Sequence, residues 1–418
     1  MSRTKKKTAL QKSKRTEVRD QALKLLSDPD FFGKYLDILE RGGLAGEQRN
    51  ACVLLVAGIS RLLPRPVNTL IKGNSSSGKN FLVNKVLELF PKDAVREITS
   101  SSDHALNYAS DDFRHKIVYL QERNESSGPV HAPRLLISEN KITRKVTVRE
   151  GQTWTTKTFI TRGPVAAIST TTKNQLQIDD ETRHISLWVD ESPSQTRRIL
   201  VSQSEQRNRP SGAERKIWEE VHRLLEERSR FPIVVPEWSQ QLADMVNVEN
   251  IRSRRYFPIF ISAWMAIALL RSFLPGRFGK SKIGAGLDDF AIAWILFEPV
   301  FEDSINRGDD ANRALRDRLQ RMMQKNENKP ISAEILANDM KISRGKAHRL
   351  LKKASDAGVI ERANKPERGN RKLYRPAPYS AFLPSPDQIF QRIPEIGNQL
   401  RFLNPLTGEW VPDGLEAG

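Results

Sequence analysis

The segment Leu70–Asn80, LIKGNSSSGKN, limits the fold more than any other part of this chain. A short apolar run, VNTLI, leads towards Gly73, and a run with helical spacing, KNFLVNKVLELF, leaves Gly78 and ends at Pro91. Strand, glycine-bounded loop and helix in immediate succession form the context in which the spacing G-x-x-x-x-G-K binds phosphate. Backbone N–H groups from Gly73, Asn74, Ser75, Ser76, Ser77 and Gly78 would wrap a β-phosphate, and the helix N-terminus would add its dipole. Lys79 would neutralise the β- and γ-phosphates. Asn80 stands where the pattern has Ser or Thr, so the Mg²⁺ ligand there is an amide oxygen set one bond farther out.

The chain around this loop has 418 residues, enough for two or three domains. Its net charge of +18 selects for polyanions, nucleic acid before an anionic membrane. The longest apolar run, FPIFISAWMAIALL, stops at Arg271, which is short for a membrane span and suits a buried helix. The single cysteine, Cys52, excludes an internal disulfide and a cysteine-built metal site, and points to a reducing cytoplasm. Residues 1–16 read as a basic disordered arm, either laid on phosphates or simply solvated. Residues 17–66 have helical spacing, with Gly42 and Gly43 stopping one helix. Over 67–192, short apolar runs alternate with helical segments, the pattern of an α/β core with a mainly parallel sheet. Residues 193–307 read as a helical lid, 308–376 as a separate small domain and 377–418 as an extended tail.

Further candidates follow inside the core. KIVYLQE is a strand that ends in Gln121 and Glu122, where many ATPases carry Asp-Glu. Gln121 would stand in for the carboxylate near the metal, while Glu122 keeps the place of the base that polarises water. VAAISTTT ends in threonines, of which Thr171 can reach a γ-phosphate or the attacking water; a Thr-rich turn is the alternative. Arg183 precedes the strand HISLWV and can act as a finger on a neighbour's ATP, or pair with Glu181 or Asp180. Between the acidic and threonine strands, KITRKVTVRE and TWTTKTFITR flank Gly151-Gln152 as a β-hairpin. Its Lys145, Arg149 and Lys157 would track a nucleic-acid backbone.

The order GNSSSGKN, KIVYLQE, LLISENKI, basic hairpin, GPVAAISTTT, ETRHISLWVDESPSQT resembles the AAA+ P-loop module of MCM-like helicases. It is closer still to the helicase/primase-associated ATPases of phages and mobile elements. The resemblance runs from about Asp20 to about Ile305. It implies ATP and Mg²⁺ as cofactors, a ring of identical subunits such as a hexamer, and single-stranded DNA in a central channel. It makes Arg183 the finger, makes the hairpin a DNA grip, and makes Arg254 or Arg255 in IRSRRYF a second sensor of the nucleotide. Gln121 and the following RNESSGP depart from that family's pattern.

The C-terminal module is readable without any family. ANRALRDRLQRMMQ is an amphipathic helix, SAEILANDM starts at the cap Ser332, and RGKAHRLLKKASDAGVIER follows the cap Ser343. A charged hairpin closes the series, which resembles a winged helix-turn-helix. Its second helix would place Arg344, Lys346, His348, Arg349 and Lys352 in a major groove of duplex DNA, with Arg368, Arg371 and Lys372 on the wing near phosphates. A winged helix used for protein contact is the alternative. Two functions remain open at this point. One is a DNA-dependent ATPase, a ring helicase with a possible primase or initiator partner. The other is a nucleotide-binding regulator that hydrolyses weakly or not at all and acts through the winged helix. A small-substrate P-loop kinase fits the charge and the C-terminal module poorly.

Overall fold

A computed structural model describes residues 3–98, 112–122, 131–150, 153–173, 181–205, 209–248, 252–279, 281–306, 310–325, 328–356, 360–363, 372–376, 381–394 and 401–411. The chain divides into two compact units. One comprises residues 1–300 with 383–418, and the other residues 301–382.

The first unit is built on a five-stranded sheet of β1 (Thr69–Lys72), β2 (Val95–Ile98), β3 (Lys116–Leu120), β6 (Val165–Thr171) and β7 (Ile185–Trp188), in the order β2-β3-β6-β1-β7. Every pairing in it is parallel. The residues of β1 and β6 are all buried, as a parallel sheet covered on both faces requires. Because the strands run the same way, their carboxyl ends share one edge, where ligands of open α/β sheets bind. The edge strand β2, VREI, gives no strong sequence signal because its residues are half-exposed or exposed.

Helix Gln48–Ser60 is buried on almost every side and packs against helix Ser253–Arg271. The latter is the long apolar run, and its Phe260 and Trp264 are fully buried. Burying such side chains contributes about 1.5–3 kcal/mol each. No helix among the described residues is long and apolar enough to cross a membrane.

The basic hairpin forms where its composition places it, as β4 (Lys141–Glu150) paired antiparallel with β5 (Thr153–Arg162), and a separate short parallel pair is formed by β8 (Ile233–Val234) and β9 (Ile283–Gly284). Two expectations differ from the structure. The arm read as disordered belongs to helix Arg3–Leu26, which has no Gly or Pro to break it. Arg19 near its end bonds Glu220 and Glu227 of helix Gly212–Arg228. The tail read as extended contains helix Pro386–Arg392 and a hairpin of β13 (Phe402–Leu403) and β14 (Trp410–Val411). Leu383, Ile389, Ile393, Phe402 and Val411 are buried, so apolar residues sparse in sequence are recruited by distant parts of the chain.

The second unit holds helices Asp310–Lys325, Ala333–Met340 and Arg344–Asp356 with a three-stranded antiparallel sheet. Its strands are β10 (Ile331–Ser332), β12 (Leu373–Pro376) and β11 (Ile360–Arg362), in that spatial order. Leu319, Ile331, Leu336, Leu351, Ile360 and Tyr374 form its core. Both expected caps are in place: Ser332 Oγ accepts from Ile335 N, and Ser343 Oγ from Lys346 N.

Candidate nucleotide site

The loop Gly73–Gly78 leaves the carboxyl end of β1 and enters helix Lys79–Leu87. Gly78 has φ +89° and Ser76 φ +64°, so the turn into the helix uses left-handed backbone at both positions. Gly73 is required for a different reason. A Cβ there would lie 2.5 Å from Val189 Cγ2 and 2.7 Å from Ser77 Oγ.

Lys79 is buried, and its ammonium turns into the loop. It donates to Gly73 O at 2.9 Å and to Asn74 O, with Ser77 Oγ at 3.3 Å. Burial lowers its pKa, and the carboxylates of Glu191 and Glu122 oppose that shift. Asn74, Ser75 and Ser76 are exposed, so the outer backbone of the loop faces solvent.

The neighbouring strand ends complete this edge. Glu122 follows β3 with φ +47°, is exposed, and donates its backbone N–H to Thr170 Oγ1 at 3.0 Å. Thr171 ends β6 directly opposite Lys72 in the register, and its hydroxyl accepts from Lys173 N at 3.1 Å. Gln121 is half-buried, with its backbone N–H on Ile98 O at 3.3 Å. The Tyr119 hydroxyl donates to Asn80 Oδ1 at 3.2 Å. Burial pushes the Tyr119 pKa up to about 12, so the hydroxyl keeps its proton at neutral pH.

The loop also has a clamp that sequence reasoning missed. Glu191 Oε1 accepts from Asn74 N, and Oε2 from Asn74 Nδ2. The acidic DES directly before the helix-starting Pro193 marks the acid but not its partner, which lies 117 positions away. Glu47, at φ +63°, accepts from Asp190 N at 2.6 Å, and Asn50 Nδ2 donates to Trp188 O at 2.8 Å. The segment Ala45–Asn50 is thereby tied to the chain that leads into the Glu191 clamp. A cleft of about 760 Å³ opens between Leu44–Gln48, helix Pro193–Ser204 and the turn Pro405–Gly408. Its size is that of a small-molecule pocket.

Arg183 and Arg255 are elsewhere. Arg183 lies two residues before β7, whose first residue pairs with the first residue of β1, so it sits at the sheet edge opposite the loop. Arg255 bonds Thr182 Oγ1 at that same edge, and Arg254 is exposed next to it. Neither lies with this chain's own loop. Of the two partners considered for Arg183, Glu181 pairs with the buried Lys72, and Asp180 lies outside the described residues.

Among the hairpin residues, Lys145 is exposed on β4, opposite Thr158. Arg149 stands opposite Trp154 and Lys157 opposite Val146. In the second unit, Arg344, Lys346, Arg349 and Lys352 are exposed on one helix and His348 is half-buried, while Ala347, Leu351 and Ala354 face the core. Lys372 is exposed just before β12. Arg368 and Arg371 lie outside the described residues. Among the described residues no group of three His, Cys, Asp or Glu could hold a metal ion.

Residues 16–223 match the family described as the MTBMA_p00010 P-loop domain. No curated protein matches the chain. Among solved structures, the chain is similar to the Aeropyrum pernix ORC1 protein in complex with DNA. Identity is 12% over 84% of this chain and 93% of that one, with a TM-score of 0.25. It is also similar to NtrX from Brucella abortus in complex with ADP, at 15% identity over 77% of this chain and 72% of that one, with a TM-score of 0.24. At those TM-scores neither likeness bears on function. The family match, the glycine-bounded loop between β1 and its helix, and the parallel sheet agree: this chain carries an α/β P-loop NTPase fold.

Proposed function

We propose that this protein is an ATP-dependent DNA-binding motor, a ring-forming MCM-like AAA+ helicase or translocase that serves replication of a phage or mobile element. The observation that carries the reading is the gathering of the Gly73–Asn80 loop, buried Lys79, Glu122 and Thr171 at one sheet edge. Lys79 would release the loop carbonyls to meet the β- and γ-phosphates. Glu122 would take a proton from the attacking water, with Thr171 orienting that water or the γ-phosphate. Arg183, at the opposite edge, would complete the site of the next subunit, and Arg254 or Arg255 beside it would sense the same neighbour's nucleotide.

Mg²⁺ would supply charge neutralisation on the β,γ-oxygens. The residues present fit an ion held mainly by phosphates and water, because Asn80 Oδ1 and Gln121 are neutral oxygen ligands and the acids that act on Lys79, Glu191 and Glu122, follow strands of this sheet. Lys145, Arg149 and Lys157 would follow a single strand. The winged-helix reading of the second unit would set Arg344, Lys346, His348, Arg349 and Lys352 against duplex DNA, with Arg368, Arg371 and Lys372 on the wing. The basic charge and exposed basic helix support both contacts.

One observation favours a second reading. Tyr119 engages the Asn80 oxygen, which weakens the metal side and suits a nucleotide-binding regulator that turns over slowly. Phosphate release from ATP and Mg²⁺, with and without single-stranded DNA, separates the two. The motor predicts DNA-stimulated release that vanishes in Lys79→Ala and Glu122→Gln. Binding without release in the wild type would favour the regulator.

A further inference from the structure

The C-terminal hairpin lies outside the matched P-loop domain, yet it returns to the cleft lined by Leu44–Gln48, a segment tied through Glu47 and Asp190 to the chain that carries the Glu191 clamp on the phosphate loop. Its turn is tightly made. Asn404 N donates to Glu409 O at 2.8 Å, Gly408 N to Asn404 O at 2.9 Å, and Leu406 N to Asn404 Oδ1 at 2.9 Å. Gly408 has φ +70°, which favours glycine. Buried Phe402, Pro405 and Val411 fix the hairpin from below, and Pro405 O lies 3.9 Å from the Sγ of Cys52 in helix Gln48–Ser60. Leu383 N, where the segment begins, donates to Glu298 Oε2 at 3.1 Å. This anchored turn leaves Thr407 and Gly408 exposed at the cleft, with Leu406 half-buried.

The character of the cleft says which part of a nucleotide it suits. Its walls carry Asp30, Asp37 and Glu40 against Arg197 and Arg198. Arg198 is also drawn to Asp190 at 3.6 Å, and Arg41 holds Asp37. An excess of carboxylates repels phosphate, so the triphosphate belongs at Lys79 and the uncharged part here. Leu44, Val201 and Leu406 offer apolar surface to a flat ring. Gln48 and Thr407 offer hydrogen-bonding edges, and carboxylates suit ribose hydroxyls as acceptors.

We propose that Pro405–Gly408 forms a wall of the nucleoside subsite, so that base recognition depends on a segment outside the P-loop domain. The inference rests on the reading of Gly73–Asn80 as a nucleotide loop, and the test separates the two. Calorimetry on the full chain would compare ATP with inorganic tripolyphosphate, both with Mg²⁺. Thr407→Trp, which narrows the cleft, should weaken ATP about tenfold or more and leave tripolyphosphate within about twofold. Lys79→Ala should lose both ligands. If Lys79→Ala binds both as the wild type does, the loop reading falls. If Lys79→Ala loses both while Thr407→Trp keeps its ATP affinity, only the wall is overturned. Should Thr407→Trp lose both, photolabelling of the wild type with 8-azido-ATP decides. Label in the tryptic peptide that follows Arg401 supports the wall, and label confined to other peptides refutes it.

Discussion

At the carboxyl ends of β1, β3 and β6 a loop backbone and an acid face solvent, above the buried Lys72, Thr170 and Thr171. The loop backbone is exposed, Glu122 is exposed, and one buried lysine is held by carbonyls that a phosphate could replace. At the amino ends the polar groups face inwards. Arg61 is buried and donates to His115 O at 2.7 Å, while His115 Nδ1 meets Arg61 O at 2.9 Å. His222 is stacked on Phe90 with ring centroids 3.7 Å apart, and Asn68 Oδ1 accepts from Ala167 N. One edge is arranged to exchange partners with a ligand; the other is locked by its own backbone. Arg183 and Arg255 lie at the locked edge, which is why a role for them in ATP chemistry requires a second copy of the chain.

The largest expected effect tests that division. Arg183→Ala should lower ATP turnover by about 10³-fold or more and leave ATP affinity within about twofold. Mixing it with Lys79→Ala should restore part of the turnover, since each chain would supply the edge the other lacks. An Arg183→Ala chain that loses affinity rather than turnover, with no rescue on mixing, would break the comparison. Glu122→Gln acts on the open edge and should lower turnover by about 10²–10⁴-fold. Its thermal midpoint should match the wild type, because the Glu122 carboxylate is exposed and only its backbone is tied to Thr170.

The two edges are joined by one buried ion pair. Lys72 is the last residue of β1 before Gly73, is 1% exposed, and pairs with Glu181, two residues from Arg183. Its ammonium also lies 5.3 Å above the Trp188 ring. Lys72→Met should destabilise the fold by about 3 kcal/mol in urea unfolding, because a partly buried carboxylate loses its partner. Lys72→Met with Glu181→Leu should cost less than the sum of the single changes. An additive pair would show that the edges are not coupled through this contact.

What the sequence revealed follows the range of the interactions. The loop, its helix and the hairpin β4–β5 depend on residues adjacent in the chain, so spacing and composition located them to within a few residues. The caps Ser332 and Ser343 were readable for the same reason. The Glu191 clamp on Asn74 spans 117 positions, the Arg255 contact with Thr182 spans 73, and Cys52 meets Pro405 across 353. No local pattern encodes such contacts. The C-terminal segment read as a loose tail because its few apolar residues have no partners nearby in sequence. The Tyr119 contact with Asn80 was hidden differently: the tyrosine counts as one more apolar residue of a buried strand until its hydroxyl is placed.

The smallest expected effect lies at the locked edge and depends on pH. Burial, with the Arg61 charge adding to it, holds the His222 pKa well below its ordinary value of 6.5. Well above that value the ring is neutral in both folded and unfolded chains and contributes no slope. As pH falls through about 6.5 the unfolded chain takes up a proton that the folded chain refuses. The unfolded state then binds more protons, and stability drops by up to about 1.4 kcal/mol per pH unit until the depressed folded pKa is reached. His222→Leu removes the titration and keeps an apolar contact for Phe90. Urea unfolding at pH 7.5, 6.5 and 5.5 should show the variant losing less stability than the wild type, by about 1 kcal/mol between the last two values and only about 0.3 kcal/mol between the first two. Equal losses in both chains at pH 5.5 would mean that water and protons reach this edge as freely as they reach the loop, and the contrast between the two ends of the sheet would fail there.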